Sequence, residues 1–148
     1  MPRFAFALVL ILAGCGGSQS SGGGPLLAGS SWSVERIVYA SGEVARGHGE
    51  TLAFGGDGSL SMSSCNTCQG RYRARGGVLT VDGALSCTRK ACAAGEIELE
   101  RLLGTEQTIE RDGPYLVLTA RPSEEDPSAS APAQILFLPT QAPGTTLR

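Results

Sequence analysis

The 148-residue sequence has no excess of charge of either sign. It contains 12 Lys and Arg residues and 14 Asp and Glu residues, which gives a formal net charge of −2. This balance argues against nucleic-acid binding, which depends on a basic surface. Aromatic residues are scarce at 5%, whereas glycine is plentiful at 21 residues. Such a composition favours short strands and many turns over a helical bundle, and the length predicts one domain plus a leader or tether.

The sequence also lacks an apolar run at its start that is long enough to span a membrane. The run Phe4–Leu12 is shorter than the roughly 20 apolar residues that a membrane-spanning helix needs. Because it follows Arg3, it matches the apolar part of a secretory signal. It leads into Leu-Ala-Gly-Cys, which resembles the lipobox of bacterial lipoproteins, where the cysteine is lipidated after cleavage. We therefore predict a signal peptide over residues 1–14 and lipidation of Cys15.

Lipidation would place the protein in the cell envelope, partnered with a membrane through Cys15. Acyl chains such as palmitate contribute about 0.8 kcal/mol per buried methylene, so several chains anchor firmly. Gly16 follows the cysteine, where an aspartate would resemble an inner-membrane retention signal, so we predict the outer membrane. The Gly/Ser-rich residues 15–29 predict a flexible tether, residues 30–140 one folded domain, and residues 141–148 a disordered tail.

The folded part is typical of an antiparallel β protein. Leu52 and Phe54 alternate with small residues, as do Leu60 and Met62, and the intervening Gly-Asp-Gly supplies the positive φ angles of a hairpin turn. Similar runs predict further strands at residues 32–39, 70–74, 78–81, 108–111, 115–119 and 134–138.

Other segments predict loops and one helix. Residues 41–49 predict a polar loop, Asp82-Gly83 a turn, and the Pro/Ser/acid-rich residues 121–133 a mobile loop. Residues 93–103 predict a helix, because Leu99, Leu102 and Leu103 form an apolar stripe. The sum is an α+β fold of about seven or eight antiparallel strands and one helix.

The other four cysteines form two close pairs, Cys65-x-x-Cys68 and Cys87-x-x-x-x-Cys92. Three interpretations are open: two disulfides, which is the usual outcome in an oxidising compartment, a four-thiolate zinc site, or a redox-active Cys-x-x-Cys. We favour disulfides, because the redox motif needs a helix after Cys68 and the sequence predicts a strand. Three connectivities are possible. We predict the nested one, Cys65–Cys92 with Cys68–Cys87, which would tie the bend at Asn66 to the segment entering the helix.

Several motifs in a common order resemble the META domain (HslJ-like) family. They are Trp32, the Thr51–Phe54 and Asp57-Gly58 hairpin, Cys65-Asn66 with Gly70 and Tyr72, Thr88–Cys92, and Glu98 with Leu99 and Leu103. The resemblance covers residues 31–119, with residues 135–138 as a closing strand. It implies a small β-roll or open barrel packed on one helix. Cys65 and Cys92 match the family's more usual cysteines, whereas Cys68 and Cys87 are an added pair and Ser64 replaces the usual glycine.

Candidate catalytic residues are few. His48 is the only histidine, and no motif supplies the nucleophile and orienting partner that a general base needs. Glu96, Glu98 and Glu100 predict a solvated, salt-bridged helix face beside Arg101. The resembled family has no agreed catalytic residues to carry over. We therefore predict no catalytic residues, no metal site, no cofactor and no enzymatic activity.

The most notable charge stripe is Arg71, Arg73 and Arg75, which alternation places on one face of a strand. It predicts a binding face for anionic lipid headgroups or an acidic partner, although the solvent side of an ordinary strand has the same pattern.

The favoured function is a membrane-tethered, non-enzymatic binding or scaffold module of the envelope with a protein partner. The family resemblance implies a link to envelope stress or drug tolerance. Alternatives are a small envelope hydrolase or inhibitor with a site built from loops such as residues 45–50, and a lipoprotein similar to secretin pilots that binds a partner peptide.

Overall fold

Nine strands form one antiparallel sheet in the computed structural model, which describes residues 26–121 and 132–140. In chain order the strands are β1 (Ser30–Tyr39), β2 (Val44–Arg46), β3 (Thr51–Phe54), β4 (Ser59–Ser63), β5 (Thr67–Arg75), β6 (Val78–Cys87), β7 (Gln107–Asp112), β8 (Tyr115–Ala120) and β9 (Pro132–Pro139), with one helix, α1 (Leu99–Leu102), between β6 and β7.

Eight of these strands close into a barrel. Each strand of the series β1, β3, β4, β5, β6, β7, β8 and β9 pairs with the next, and β9 returns to β1 along residues 32–39. The ninth strand, β2, pairs only with residues 36–38 of β1, beyond the stretch that pairs with β3. The predicted antiparallel barrel is thus confirmed, and it is closed rather than open.

The barrel is filled by the apolar side chains that alternate along its strands. Leu52, Phe54, Leu60 and Met62 point inward, as the hairpin pattern predicted. Phe54 also meets Tyr72 edge-on at 4.8 Å between ring centroids. The most buried large side chains further include Trp32, Ile37, Leu79, Leu99, Leu103 and Phe137. Close packing of this interior is the main stabilising contribution that the fold makes.

The seam between β6 and β7 is the shortest in the barrel, with only two paired positions: Val78 with Thr108, and Leu79 with Gln107. The Gln107 side chain is 1% exposed and donates hydrogen bonds to the carbonyl oxygens of Leu102 and Thr105, at 3.2 and 3.1 Å. A buried amide needs such partners. It fastens the end of α1 to the seam where strand pairing is weakest.

The predicted helix over residues 93–103 was wrong in extent, because only Leu99–Leu102 are helical. Gly95 has φ +90° and Glu98 has φ −105° and ψ 87°, and neither conformation continues an α-helix. A covalent link from Cys92 to Cys65 also fixes where this segment begins. The Leu99 and Leu103 side chains still enter the core, so the apolar stripe was meaningful although the regular helix was not.

Four other predictions differ from the structure. The predicted loop 41–49 contains β2, and Asp82-Gly83 lie within β6, which bulges there opposite Gly70 instead of turning back. Residues 26–29 were predicted to belong to the tether, yet Leu27 is fully buried and the domain begins before residue 30. Strand β9 starts at Pro132, inside the predicted loop 121–133.

Within the described ranges, no helix is long and apolar enough to cross a membrane. The predicted signal peptide, Cys15, most of the tether, loop residues 122–131 and the tail 141–148 lie outside the described residues.

Candidate functional site

Both disulfides lie at one end of the barrel, where they join the start of β5 to the end of β6 and to the loop that follows it. Cys68 pairs with Cys87 directly across β5 and β6, with 4.1 Å between Cα atoms, and Cys68 is fully buried. Cys65 pairs with Cys92, with 5.7 Å between Cα atoms. The structure therefore has the nested arrangement. The outer bridge holds the loop after β6 against the β4–β5 turn.

Asn66 is the polar hub of the same region. Its side chain is buried, accepts hydrogen bonds from the Lys90 backbone N–H at 2.9 Å and the Thr88 hydroxyl at 3.1 Å, and donates to Glu100 at 3.2 Å. One amide thus joins the β4–β5 turn, the loop after β6 and helix α1. A buried amide is costly without partners, so this network favours one arrangement of the region that the two disulfides join, residues 64–68 and 87–92, which we call the stapled region.

The Ser64 side chain extends the network to α1. Its hydroxyl donates to the other carboxylate oxygen of Glu100 at 3.2 Å and accepts from the Leu99 backbone N–H at 3.4 Å. Both carboxylate oxygens of the half-buried Glu100 are therefore engaged by a polar cluster, so Glu100 is not the freely solvated helix-face residue that was predicted. Glu98 does pair with Arg101 at 3.2 Å, as predicted.

A groove of about 480 Å³ lies beside this stapled region. One wall is the β2–β3 loop with His48, Gly49 and Glu50. The other is formed by residues 63–65 and 94–97. We call this the staple groove. Its second wall is held by the outer disulfide and by the Asn66 network, and a backbone hydrogen bond from Cys65 to Ile97 joins its two segments.

Two carboxylates in the staple groove are engaged by backbone groups. Glu50 accepts a hydrogen bond from the His48 backbone N–H at 2.7 Å, and Glu96 accepts one from the Ala93 backbone N–H at 2.6 Å. Within the described chain the His48 imidazole has no hydrogen bond to either carboxylate. The groove thus brings His48, Glu50 and Glu96 together, but as loop-fixing groups and not as an oriented acid–base pair.

The same region contains the only group of potential metal ligands found among the described residues: Cys65, Cys92 and Glu96. Both sulfurs are consumed by the disulfide, and a metal-binding cysteine must be a thiolate. The group therefore does not fit a metal in the oxidised protein.

The predicted arginine stripe is exposed on β5 but largely engaged. Arg71 donates to the Asp57 backbone oxygen at 2.8 Å, and the Arg73 guanidinium lies 2.6 Å from the Asp82 carboxylate. Arg75 has no ion-pair partner among the described residues. Since two of its three guanidiniums already have hydrogen-bond or ion-pair partners within the domain, the stripe is a weaker anion site than its sequence suggests.

A second depression, of about 500 Å³, lies on the outer face of β1, β3, β4 and β5. Small side chains such as Ser31, Ala53 and Ser61 create it, because they occupy neighbouring positions in the strand registers. Nearby, hydrogen bonds from Ser59 hold the pKa of Asp57 below its usual 3.8. Burial raises the pKa of Tyr72, whose hydroxyl donates to the Gly55 carbonyl at 3.1 Å.

Sequence reasoning missed the hub role of Asn66, which it treated as a bend residue, and the approach of residues 94–97 to the β2–β3 loop. The short spacing of Ser64, Cys65 and Asn66 marked the region, but their partners lie 22 to 36 residues away. No local pattern reports contacts of that range.

Comparisons with known proteins show the family and the fold. The family model of the META domain matches residues 25–131. A solved structure described as the NMR structure of a protein is similar, with a TM-score of 0.56 and 19% identity over 76% of this chain and 91% of that chain. At that identity the likeness shows the fold alone. No curated protein matches the chain.

Proposed function

This chain belongs to the META domain family, and from that premise we propose that it is a lipid-anchored, non-enzymatic binding or scaffold module of the cell envelope. In this proposal the lipidated Cys15 anchors the chain in the outer membrane, and the barrel presents the staple groove to a protein partner. The family resemblance adds a role in envelope stress or drug tolerance.

The observation that carries the proposal is the fixed shape of the staple groove. The Cys65–Cys92 bridge and the Asn66 amide hold one wall, while the Glu50 carboxylate fixes the His48 loop that forms the other. A surface that is already ordered loses little conformational entropy when a partner binds. Rigid walls with backbone-capping carboxylates therefore favour recognition over proton transfer.

Site-specific photo-crosslinking in cells tests the groove. A photoreactive amino acid replaces Ala94, which is exposed and lines the groove, and the matched control replaces Glu110, which is exposed on β7 outside both depressions. We expect a reproducible protein adduct from position 94 and none from position 110. Equal adducts at both positions would remove the groove from the proposal.

The anchor is tested separately by metabolic labelling with a clickable palmitate analogue. We expect label on the wild-type protein and none on the Cys15→Ala variant. A variant labelled as strongly as wild type would contradict the lipobox prediction.

The second candidate function is a small envelope hydrolase, and one observation favours it: His48, Glu50, Glu96, Ser63 and Ser64 all line the staple groove. A fluorophosphonate probe separates the two candidates. Labelling of Ser63 or Ser64 that disappears in His48→Ala would support the hydrolase and overturn the binding module.

The pilot-like alternative has less structural support. It would use an apolar cleft between helix and sheet, but in the described chain α1 has only four residues, and Leu99 and Leu103 are buried in the barrel core.

A further inference from the structure

Two arginines lie directly opposite each other on the outer side of the barrel. Arg36 of β1 and Arg46 of β2 are register partners, and both side chains are exposed. Side chains at such positions start about 4.5–5.5 Å apart at Cβ, and like charges placed there destabilise a sheet. Neither guanidinium has a carboxylate within ion-pair distance among the described residues, although Glu35 and Glu43 are close along the chain.

Val44 adds an apolar group to the same strand. It is 56% exposed, which makes it one of two large hydrophobic side chains in the described residues that are this open to solvent. Its register partner is Val38, two residues from Arg36, so Val44 and Arg46 project on the same side of β2. Together Arg36, Arg46 and Val44 form what we call the β2 patch.

The β2 patch belongs to neither depression on the surface. None of its three residues lines the staple groove or the depression over β3 and β4. Strand β2 is also the one strand outside the closed ring, and the described structure pairs it only with β1. A patch outside both depressions offers a partner an open surface and no cleft, which suits the plane of a membrane, whereas a peptide would add to the backbone edge of β2 and would not need the two guanidiniums.

We propose that the β2 patch binds the phosphate groups of anionic phospholipids and lays this side of the barrel against a membrane surface. Adjacent guanidiniums match phosphate oxygens with charge-assisted hydrogen bonds, and Val44 enters the apolar margin of the headgroup region. The site does not depend on lipidation of Cys15. A bound phosphate would also offset the mutual repulsion of the two arginines, because the described residues provide them with no counter-charge.

The test is vesicle co-sedimentation of the full chain with Cys15→Ala, which removes acylation from the measurement. Vesicles of phosphatidylcholine with phosphatidylglycerol are compared with vesicles of phosphatidylcholine alone, so any binding through residues 4–12 contributes to both. Each arginine near an anionic surface contributes about fivefold to partitioning. We expect Arg36→Gln with Arg46→Gln to lower the preference for anionic vesicles by about 25-fold, and 0.5 M salt to lower it for wild type.

The matched control is Arg71→Gln with Arg73→Gln, which removes the same net charge from arginines that the domain already engages. It should change the preference by less than about threefold. Arg36→Lys with Arg46→Lys, which keeps the charge, should retain most of it. Thermal unfolding followed by the buried Trp32 checks that all variants are folded.

Several results would overturn the proposal. If the β2-patch variant and the Arg71/Arg73 control lost the preference for anionic vesicles equally, only net charge would matter. If neither variant lost that preference, the patch would not bind lipid. Release of wild type by millimolar inorganic phosphate at constant ionic strength would assign the site to free phosphate instead. Binding to a poly-glutamate peptide but not to vesicles would assign it to an acidic protein. A wild-type protein without palmitate label would contradict the anchor prediction but not this proposal, because lipidation of Cys15 and vesicle binding by the β2 patch are measured in separate experiments.

Discussion

The Asn66 network makes the sharpest quantitative prediction for this fold, through the substitution Asn66→Ala. The side chain accepts hydrogen bonds from Lys90 N–H and the Thr88 hydroxyl and donates one to the Glu100 carboxylate. A neutral hydrogen bond contributes about 0.5–1.5 kcal/mol net, and one to a charged group about 1.5–3 kcal/mol. Because Glu100 is only half-buried, we discount the charged bond. We expect Asn66→Ala to lower the free energy of unfolding by about 2–4 kcal/mol in total.

The assay is urea unfolding at pH 7 with both disulfides intact, followed by the fluorescence of the buried Trp32. The control is Gln69→Ala on the same strand, because Gln69 is exposed and its amide has no hydrogen-bond partner among the described residues. We expect the control to lie within about 0.5 kcal/mol of wild type. A deficit for Asn66→Ala no larger than that of the control would refute the hub.

The substitution Asn66→Asp adds a test by charge. It keeps both accepted hydrogen bonds but places a second carboxylate against Glu100. Like-charge repulsion raises the folded-state pKa of the new carboxyl above its unfolded value of about 3.9. Its destabilisation is therefore full at pH 7 and shrinks as the pH falls through the raised pKa. Asn66→Ala introduces no new carboxyl, so its deficit should vary less with pH, and identical pH profiles for the two variants would contradict the proposed geometry.

Four further predictions concern other parts of the barrel. Gly47→Ala should lower the free energy of unfolding in urea by about 2–3 kcal/mol. The added Cβ would lie 2.7 Å from the Val34 carbonyl carbon and closer still to the Val34 carbonyl oxygen. Gly56→Ala, where the added methyl meets nothing within 4 Å, should cost far less, and equal losses would refute the contact. Limited reduction followed by alkylation mapping should open the half-buried Cys65–Cys92 bridge before the Cys68–Cys87 bridge, whose Cys68 is fully buried, and the reverse order would contradict the burial pattern. Because hydrogen bonds from Ser59 depress the pKa of Asp57 below 3.8, their stabilisation is present above that pH and lost as the pH falls through the depressed value. Asp57→Asn should thus lose less stability than wild type between pH 4 and 2, and identical acid profiles would remove the effect. Arg46→Gln should raise the free energy of unfolding by about 0.2–1 kcal/mol by relieving the repulsion from Arg36, and a decrease would show that the pair is stabilising.

The sequence determined the features that depend on neighbouring residues. Alternation along residues 51–62 marked the β3–β4 hairpin, and Gly58 has the positive φ that the turn required. Motif order in the cysteine region indicated the family to which the chain belongs. Side-chain alternation has a period of two in any strand, so the inward faces of most strands could be read without knowing their partners.

The tertiary structure decided what depends on pairing between distant segments. Closure of β1 with β9 joins residues about 100 positions apart, and alternation says nothing about which strands meet. The helix over residues 93–103 was expected from local spacing, but Gly95 and the bridge from Cys92 left only one turn. Of the three possible disulfide connectivities, only the folded register of β5 and β6 selects Cys68 with Cys87.

The charged surface shows the same division. The stripe Arg71, Arg73 and Arg75 is evident from the sequence, yet the Asp57 backbone carbonyl in the β3–β4 turn and the Asp82 carboxylate on β6 engage two of its guanidiniums. Arg36 and Arg46 are ten residues apart and unremarkable in the sequence, but the β1–β2 register makes them neighbours. Composition and alternation therefore determine the class of fold and the inward faces of its strands. Strand register decides which charges meet, because the energy of a charge depends on its neighbours in space.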